Sequence, residues 1–383
     1  MTQEHLEFDV ELDEPAEHQV NRDLLNQAVL YGTDWTVETA ISQLRQENIF
    51  LQPTFQRRDA WRKLNKSRLI ESILLGLPIP QIVLAERQDE RGKFIVLDGK
   101  QRLLTLLQFY GAAAGSPNNG FALTGMEILK EFENLTFAEL PPEAQRQFMN
   151  YAVRSSVIRN WPDSAFLEIV FIRLNEGSVK LSPQELRQAI ATGPFTEYLE
   201  GASAGSQAIK CLLGLTEPDF RMRDAELLLR LVAFKMWPAR YRGNMKEFLD
   251  TATRELNAAW DVHQARVIQV VADIEAAIEF GIAAFGVKTF GRKWLGDRFE
   301  RPLNRAVIDV QVAYLQDAAV RAMLTGREPE LVQEFQRVSG DPEFARSVES
   351  TTKSLAATNA RFQLWGAAMS QLTGGVVQPL VIG

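Results

Sequence analysis

Apolar residues form two short unbroken runs in the first half of the chain, within QIVLAE at 81–86 and FIVL at 94–97. In the second half they recur at helical spacing almost throughout. Short apolar runs bounded by turn residues predict buried strands, and the charged segment 87–92 between them predicts a hairpin. Asp98 and Gly99 end the second strand as a turn pair. A helix follows at once, with Leu103, Leu104, Leu106, Leu107 and Tyr110 on the side that packs back on the strand. Upstream, Thr36 as N-cap predicts a helix from Val37. Leu69, Ile70, Ile73 and Leu74 mark a second helix over 65–75, stopped by Gly76, Pro78 and Pro80. Pro53 makes 49–55 an edge strand or loop. Further on, 137–151 reads as a helix, 153–158 as a strand and 164–174 as a helix. Ser182, Pro183 and Glu185 form a strong helix start.

Residues 1–21 carry little periodicity and hold seven acids within the first seventeen positions, which predicts a flexible acidic tail. Residues 21–30 are expected as a short helix. The small residues GASAGS at 201–206 are expected as a linker, giving a first domain over 22–200 and a second over 207–383. Apolar stripes predict helices at 224–236, 246–256, 262–285, 304–316, 329–338 and 344–372. The expected fold class is α+β, with an all-helical C-terminal domain.

The strand, glycine turn and helix at 94–110 have a chemical consequence. The helix begins Lys100, Gln101, Arg102, so free backbone N–H groups and two cations meet at one place, which suits an anion such as phosphate. Asp98 is the only acid there. It is placed to hold a metal ion that bridges phosphate oxygens, and Asp before Gly is equally an ordinary turn or N-cap. Glu185 has a complete account as the third residue of a capped helix, with Arg187 beside it as a surface residue.

The net charge of −7 lies mainly in the acidic tail, so nucleic-acid binding requires a local basic patch. One exists: Arg57, Arg58, Arg62, Lys63, Lys66 and Arg68 place six cations in twelve residues, with Trp61 among them and Asp59 as the single acid. Such a run is also what a solvated helix face looks like. Cys211 is the only cysteine, which excludes an internal disulfide and a cysteine metal cluster; it is expected in the core. The acidic N-terminus and the lack of a long apolar run point to a cytoplasmic protein with no membrane association.

Four ordered segments resemble the N-terminal domain of GmrSD-type modification-dependent restriction enzymes, in the ParB and sulfiredoxin-like superfamily. FQR at 55–57 followed by Trp61 resembles the family's opening motif. LIESILLGLPIP at 69–80 resembles its helix and double-proline strand entry. LDGKQRLLTLLQF at 97–109 is similar to its D-G-Q-Q-R-x-x-T signature, and FIRLNEGSVKLSPQELRQAI at 171–190 to its F-x-R-x-N and L-S-x-x-E-L-R segment. The resemblance implies a nucleoside triphosphate site tied to restriction of modified DNA. Carried over residue by residue, Asp98, Gln101, Arg102 and Glu185 become the catalytic set, with Asp98 also the Mg²⁺ ligand. Gln56, Arg57, Gly99, Lys100, Thr105, Arg173, Asn175 and Arg187 become nucleotide contacts. Arg58, Arg62, Lys63 and Lys66 remain the expected DNA contacts. Lys100 departs from the family glutamine and adds a cation. The family's C-terminal His-Asn-His nuclease domain is not expected, because His263 is the only histidine beyond the tail.

The expected function is a Mg²⁺-dependent nucleoside triphosphatase acting as sensor or regulatory subunit of a restriction or phage-defence system. The alternative is a non-catalytic DNA-binding or protein-binding adaptor of the same fold. The implied partners are a nucleoside triphosphate, duplex DNA, a separately encoded nuclease subunit and a second copy of the chain.

Overall fold

The computed structural model describes residues 28–49, 61–88, 90–111, 120–162, 166–167, 169–170, 182–349 and 354–383. The chain divides into two compact units between Ile190 and Ala191.

The first unit is built on a sheet with strand order β1-β4-β2-β3 among the described residues. The strands are β1 (Val29–Thr36), β2 (Ile82–Glu86), β3 (Phe94–Asp98) and β4 (Ala152–Arg159). β2 and β3 form the expected antiparallel hairpin, and β2 runs parallel to β4. β1 pairs antiparallel with β4 over its whole length, from Val29↔Arg159 to Thr36↔Ala152.

The two apolar runs are explained by burial on both faces of the sheet, because side chains alternate along a strand. Ile82, Leu84, Phe94 and Val96 join one core, which also takes in Val153 and Val157 of β4. Val83, Ala85, Ile95 and Leu97 join another, with Ile158, Trp161 and Leu167. The first core is completed by α1 (Val37–Arg45), α2 (Lys63–Leu74), α3 (Lys100–Tyr110) and α4 (Pro142–Asn150). α1 starts where expected, with the Thr36 hydroxyl accepting the Thr39 N–H at 3.1 Å. Removing Leu103, Leu106 or Ile70 from water stabilises this unit by about 1.5–3 kcal/mol each, so α2 and α3 are fixed against the sheet. α5 (Pro183–Ile190) ends the unit, and Ile190 packs against the second core.

The second unit is helical. Its helices are α6 (Pro194–Gly205), α7 (Gln207–Leu213), α8 (Arg223–Met236), α9 (Met245–Ala258), α10 (Trp260–Phe285), α11 (Arg305–Leu315), α12 (Ala318–Leu324), α13 (Glu328–Ser339), α14 (Pro342–Glu349) and α15 (Leu355–Leu372). They enclose one continuous apolar core. No helix of the described residues is long and apolar enough to cross a membrane.

Five expectations change. Residues 201–206 lie largely inside α6 rather than in a linker, and the units divide between Ile190 and Ala191, before α6 begins. Ser203 and Ala204 are buried there beside Phe195 and Leu199, and packing of that face outweighs the ~1 kcal/mol cost of a helical glycine. Val29 and Leu30 belong to a strand rather than a helix, because every residue of β1 has a partner in β4. The expected helix 137–151 is a 3₁₀ turn at Phe137–Glu139 followed by α4, interrupted where Pro141 and Pro142 remove backbone donors. The expected helix 344–372 is α14 and α15, with 350–353 outside the described residues. Cys211 is exposed: the buried side of α7 is Ala208, Ile209, Leu212 and Leu213, and position 211 falls opposite.

Candidate functional site

The β3–α3 corner depends on Gly99. Its φ of 97° lies in the left-handed region, and a Cβ built there would sit 2.9 Å from Ile82 Cγ1 and 3.3 Å from Arg102 Nη2. Only glycine lets β3 turn this sharply into α3 against β2. The same choice leaves α3 without a side chain on its N-cap, and no side chain caps the helix. Backbone donors of the first turn and the positive end of the helix dipole therefore face the corner.

Asp98 is spent within the corner. Its Oδ1 accepts the Gly99 N–H at 2.7 Å and its Oδ2 accepts from Arg102 Nη2 at 2.7 Å. Arg102 also donates to the Gln81 carbonyl at 3.1 Å. The guanidinium is thus held between β2 and β3 with its side chain 13% exposed, and its Nε is buried without a hydrogen-bond partner. Gln101 keeps a buried Oε1 without a partner. Such groups cost free energy unless something meets them, and both lie in the first turn of α3.

α5 supplies the opposite wall. Glu185 accepts the Ser182 N–H at 2.7 Å through Oε2, and its own N–H donates to Ser182 Oγ at 3.1 Å, the reciprocal capping box expected from the sequence. Its Oε1 lies 4.0 Å from Lys100 Nζ, both side chains being largely buried. One carboxylate therefore caps α5 and draws the extra cation of α3 toward it. Arg187 is not the surface residue expected: it is buried on α5 and its Nη1 donates to Gln184 Oε1 at 2.5 Å.

The fold brings Asp98, Gly99, Lys100, Gln101, Arg102 and Glu185 to one corner. Thr105 is placed elsewhere. It is fully buried one turn into α3, with its hydroxyl donating to the Gln101 carbonyl at 2.7 Å, and so it faces the core. Gln56, Arg57, Arg58, Arg173 and Asn175 lie outside the described residues. Arg62 and Lys63 are exposed at the start of α2, where no side chain caps the helix, and Lys66 lies 5.9 Å above the Phe121 ring. Cations at a helix N-terminus oppose the dipole, so the first turn of α2 keeps them at a cost in stability. Sequence reasoning missed Gln81 and Ile82. Gln81 contributes a backbone carbonyl, which no side-chain pattern reveals.

Among the described residues no three His, Cys, Asp or Glu side chains come together to hold a metal ion, and both Asp98 oxygens are engaged by hydrogen-bond donors.

Residues 37–192 match the family model of the GmrSD restriction endonuclease N-terminal domain. That span holds α1 to α5, β2, β3, β4 and the whole corner. No curated protein matches the chain.

Proposed function

Since residues 37–192 belong to the GmrSD restriction endonuclease N-terminal domain family, we propose that the β3–α3 corner binds the phosphates of a nucleoside triphosphate, and that the chain serves a DNA-restriction or phage-defence system as its nucleotide-sensing subunit. The observation that carries this reading is the uncapped start of α3, with Gly99 in the left-handed region and Arg102 fixed by Asp98. Helix-start N–H groups and a pre-positioned guanidinium are what a polyphosphate needs. Asp98 acts by orienting Arg102, and Lys100 adds a second cation beside Glu185. Mg²⁺ enters this reading only as the counter-ion that accompanies a triphosphate in solution.

The test is equilibrium binding of fluorescent ATP, GTP, CTP and UTP analogues, together with phosphate release, for the wild type and Arg102→Ala. Binding of one nucleotide that weakens at least tenfold in the variant is the expected result. A folded wild type that binds none of the four rejects the reading. A second reading is a non-catalytic adaptor that holds DNA through Arg62, Lys63 and Lys66, favoured by the exposure of Arg62 and Lys63 at an uncapped helix start. It predicts DNA binding that survives Arg102→Ala and disappears when Arg62 and Lys63 are made acidic.

A further inference from the structure

The segment between α10 and α11 is built unlike its surroundings. Trp294 and Phe299 form an antiparallel bridge, the Leu295 N–H donates to the Arg298 carbonyl at 2.8 Å, and the Glu300 N–H donates to the Lys293 carbonyl at 2.8 Å. Gly296 has φ 97° at the first central position of the turn, where a tight hairpin requires a left-handed residue. The arm is fixed at its base. The Trp294 and Phe299 rings are 4.9 Å apart, and Phe299 stacks on Phe335 of α13 at 6.5 Å. Gly291 donates to Gln311 Oε1 at 2.9 Å, and the Asn304 N–H donates to the Gly291 carbonyl at 2.8 Å. A tethered hairpin of this kind has little conformational freedom left to lose on binding.

Its charge also differs from that of the whole. Residues 288–305 carry Lys288, Arg292, Lys293, Arg298, Arg301 and Arg305 against Asp297 and Glu300, in a chain of net charge −7. Lys293 and Arg292 brace the arm itself. Lys293 pairs with Glu300 at 3.1 Å, and Arg292 donates to the carbonyls of Arg301, Val287 and Phe290. Lys288, Arg298 and Arg301 are exposed at the surface. Arg298 faces Asp297 at 3.3 Å with both side chains 72% exposed, a pair that water screens and an anion can displace at little cost. Leu295, 43% exposed, stands at the tip beside them.

We infer that this hairpin is an arm that contacts the phosphates of duplex DNA, with Lys288, Arg298 and Arg301 as the contacting cations. A two-stranded ribbon is one of the two elements that the major groove admits, and arginine-rich edges suit paired phosphate oxygens. The restriction-family domain at 37–192 makes duplex DNA the polyanion of choice over an acidic protein. The inference is independent of the nucleotide reading, since its residues belong to the second unit and those of the β3–α3 corner to the first.

The test is fluorescence anisotropy of a labelled duplex with the full chain over a range of salt concentrations. The wild type is compared with the triple variant Lys288→Gln, Arg298→Gln, Arg301→Gln, with the single Arg298→Glu, and with Arg62→Gln, Lys63→Gln. Losing three phosphate contacts lowers the magnitude of the log–log salt slope by about 2–3. The expected result is that change, with affinity down at least tenfold, Arg298→Glu acting in the same direction, and nucleotide affinity and melting temperature unchanged. Wild-type affinity and slope in both hairpin variants overturn the inference, as does loss of DNA binding confined to the α2 variant. Poly-glutamate that competes as well as unlabelled duplex at equal charge also overturns it, in favour of an acidic protein partner. If no nucleotide binds but the duplex does, and the triple variant releases it, the arm stands and the nucleotide reading falls.

Discussion

Gly99 and Asp98 divide the work of the corner at the scale of single residues. Gly99→Ala meets a left-handed φ and the Ile82 side chain together. It is expected to cost about 1–3 kcal/mol in urea unfolding and to weaken nucleotide binding as the turn opens. Asp98→Asn keeps the shape but removes the charge that holds Arg102. Nucleotide affinity is expected to fall at least tenfold while the unfolding midpoint shifts little, because the Gly99 N–H keeps an acceptor. Equal nucleotide affinity in the wild type and Asp98→Asn would show that Arg102 does not need its anchor. Asp98, Gly99 and Arg102 were legible in the chain because a strand, a glycine turn and a basic helix start leave few other arrangements. Thr105 and Arg187 were not, because which face of a helix is buried depends on what packs against it.

At the scale of elements, the first unit pins a loop to α2 through one carboxylate. Glu71 accepts the N–H groups of Glu127, Ile128 and Leu129 from within the protein. Burial pushes its carboxyl up, but the Leu129, Ile128 and Glu127 donors, aided by the Arg68 charge, outweigh burial and hold it below 4.5. A carboxyl lowered in the fold binds its proton more weakly there than in the unfolded chain. Its contribution is therefore present above the ordinary carboxylate range and is lost as pH falls below it. Urea unfolding at neutral and acid pH is expected to show a smaller loss on acidification for Glu71→Gln than for the wild type, with Glu71→Gln the less stable at neutral pH. Parallel pH profiles for the two proteins would contradict this. α2, α3 and the β2–β3 hairpin followed from apolar spacing, whereas β1 did not, because its eight residues gain their strand geometry from β4, over a hundred positions away.

The helical unit is the place where whole-molecule stability is most exposed to single changes. Arg230 and Asp309 form a fully buried pair at 2.6 Å, and Arg361 approaches the same carboxylate at 3.7 Å. Asp309→Asn leaves buried guanidinium charge uncompensated and is expected to cost about 3–5 kcal/mol, read as a lower melting temperature of the second unit. Tyr314 marks the alkaline limit. Its hydroxyl donates to the Phe362 carbonyl at 2.6 Å and accepts the Leu380 N–H at 2.9 Å. Burial pushes the phenol from 10.0 up to about 12, with the Leu380 donor acting the other way. The phenol keeps its proton in the fold after the unfolded chain has lost it. Its contribution is thus complete below pH 10.0 and is lost as pH rises to about 12, a loss of about 2–3 kcal/mol. Tyr314→Phe is expected to remove that part of the alkaline loss, measured as the difference between the two unfolding profiles over this window.

The sequence by itself determined the class of the fold, helices α8 to α11 and α13 of the second unit, the hairpin of the first, and the Asp98–Arg102 turn. Each of these depends on local spacing, turn chemistry or capping, which act within about one turn of helix or one strand. Tertiary structure decided what local rules cannot reach. It made a helix of Gly201–Ser206 up to Gly205, because Ser203 and Ala204 found a core to enter. It turned Cys211 outward and Arg187 inward, joined β1 to β4, and brought the Gln81 carbonyl and Glu185 to the corner. In each case the deciding partner is distant along the chain or contributes through its backbone, so the outcome is fixed by packing rather than by the residue's own preference.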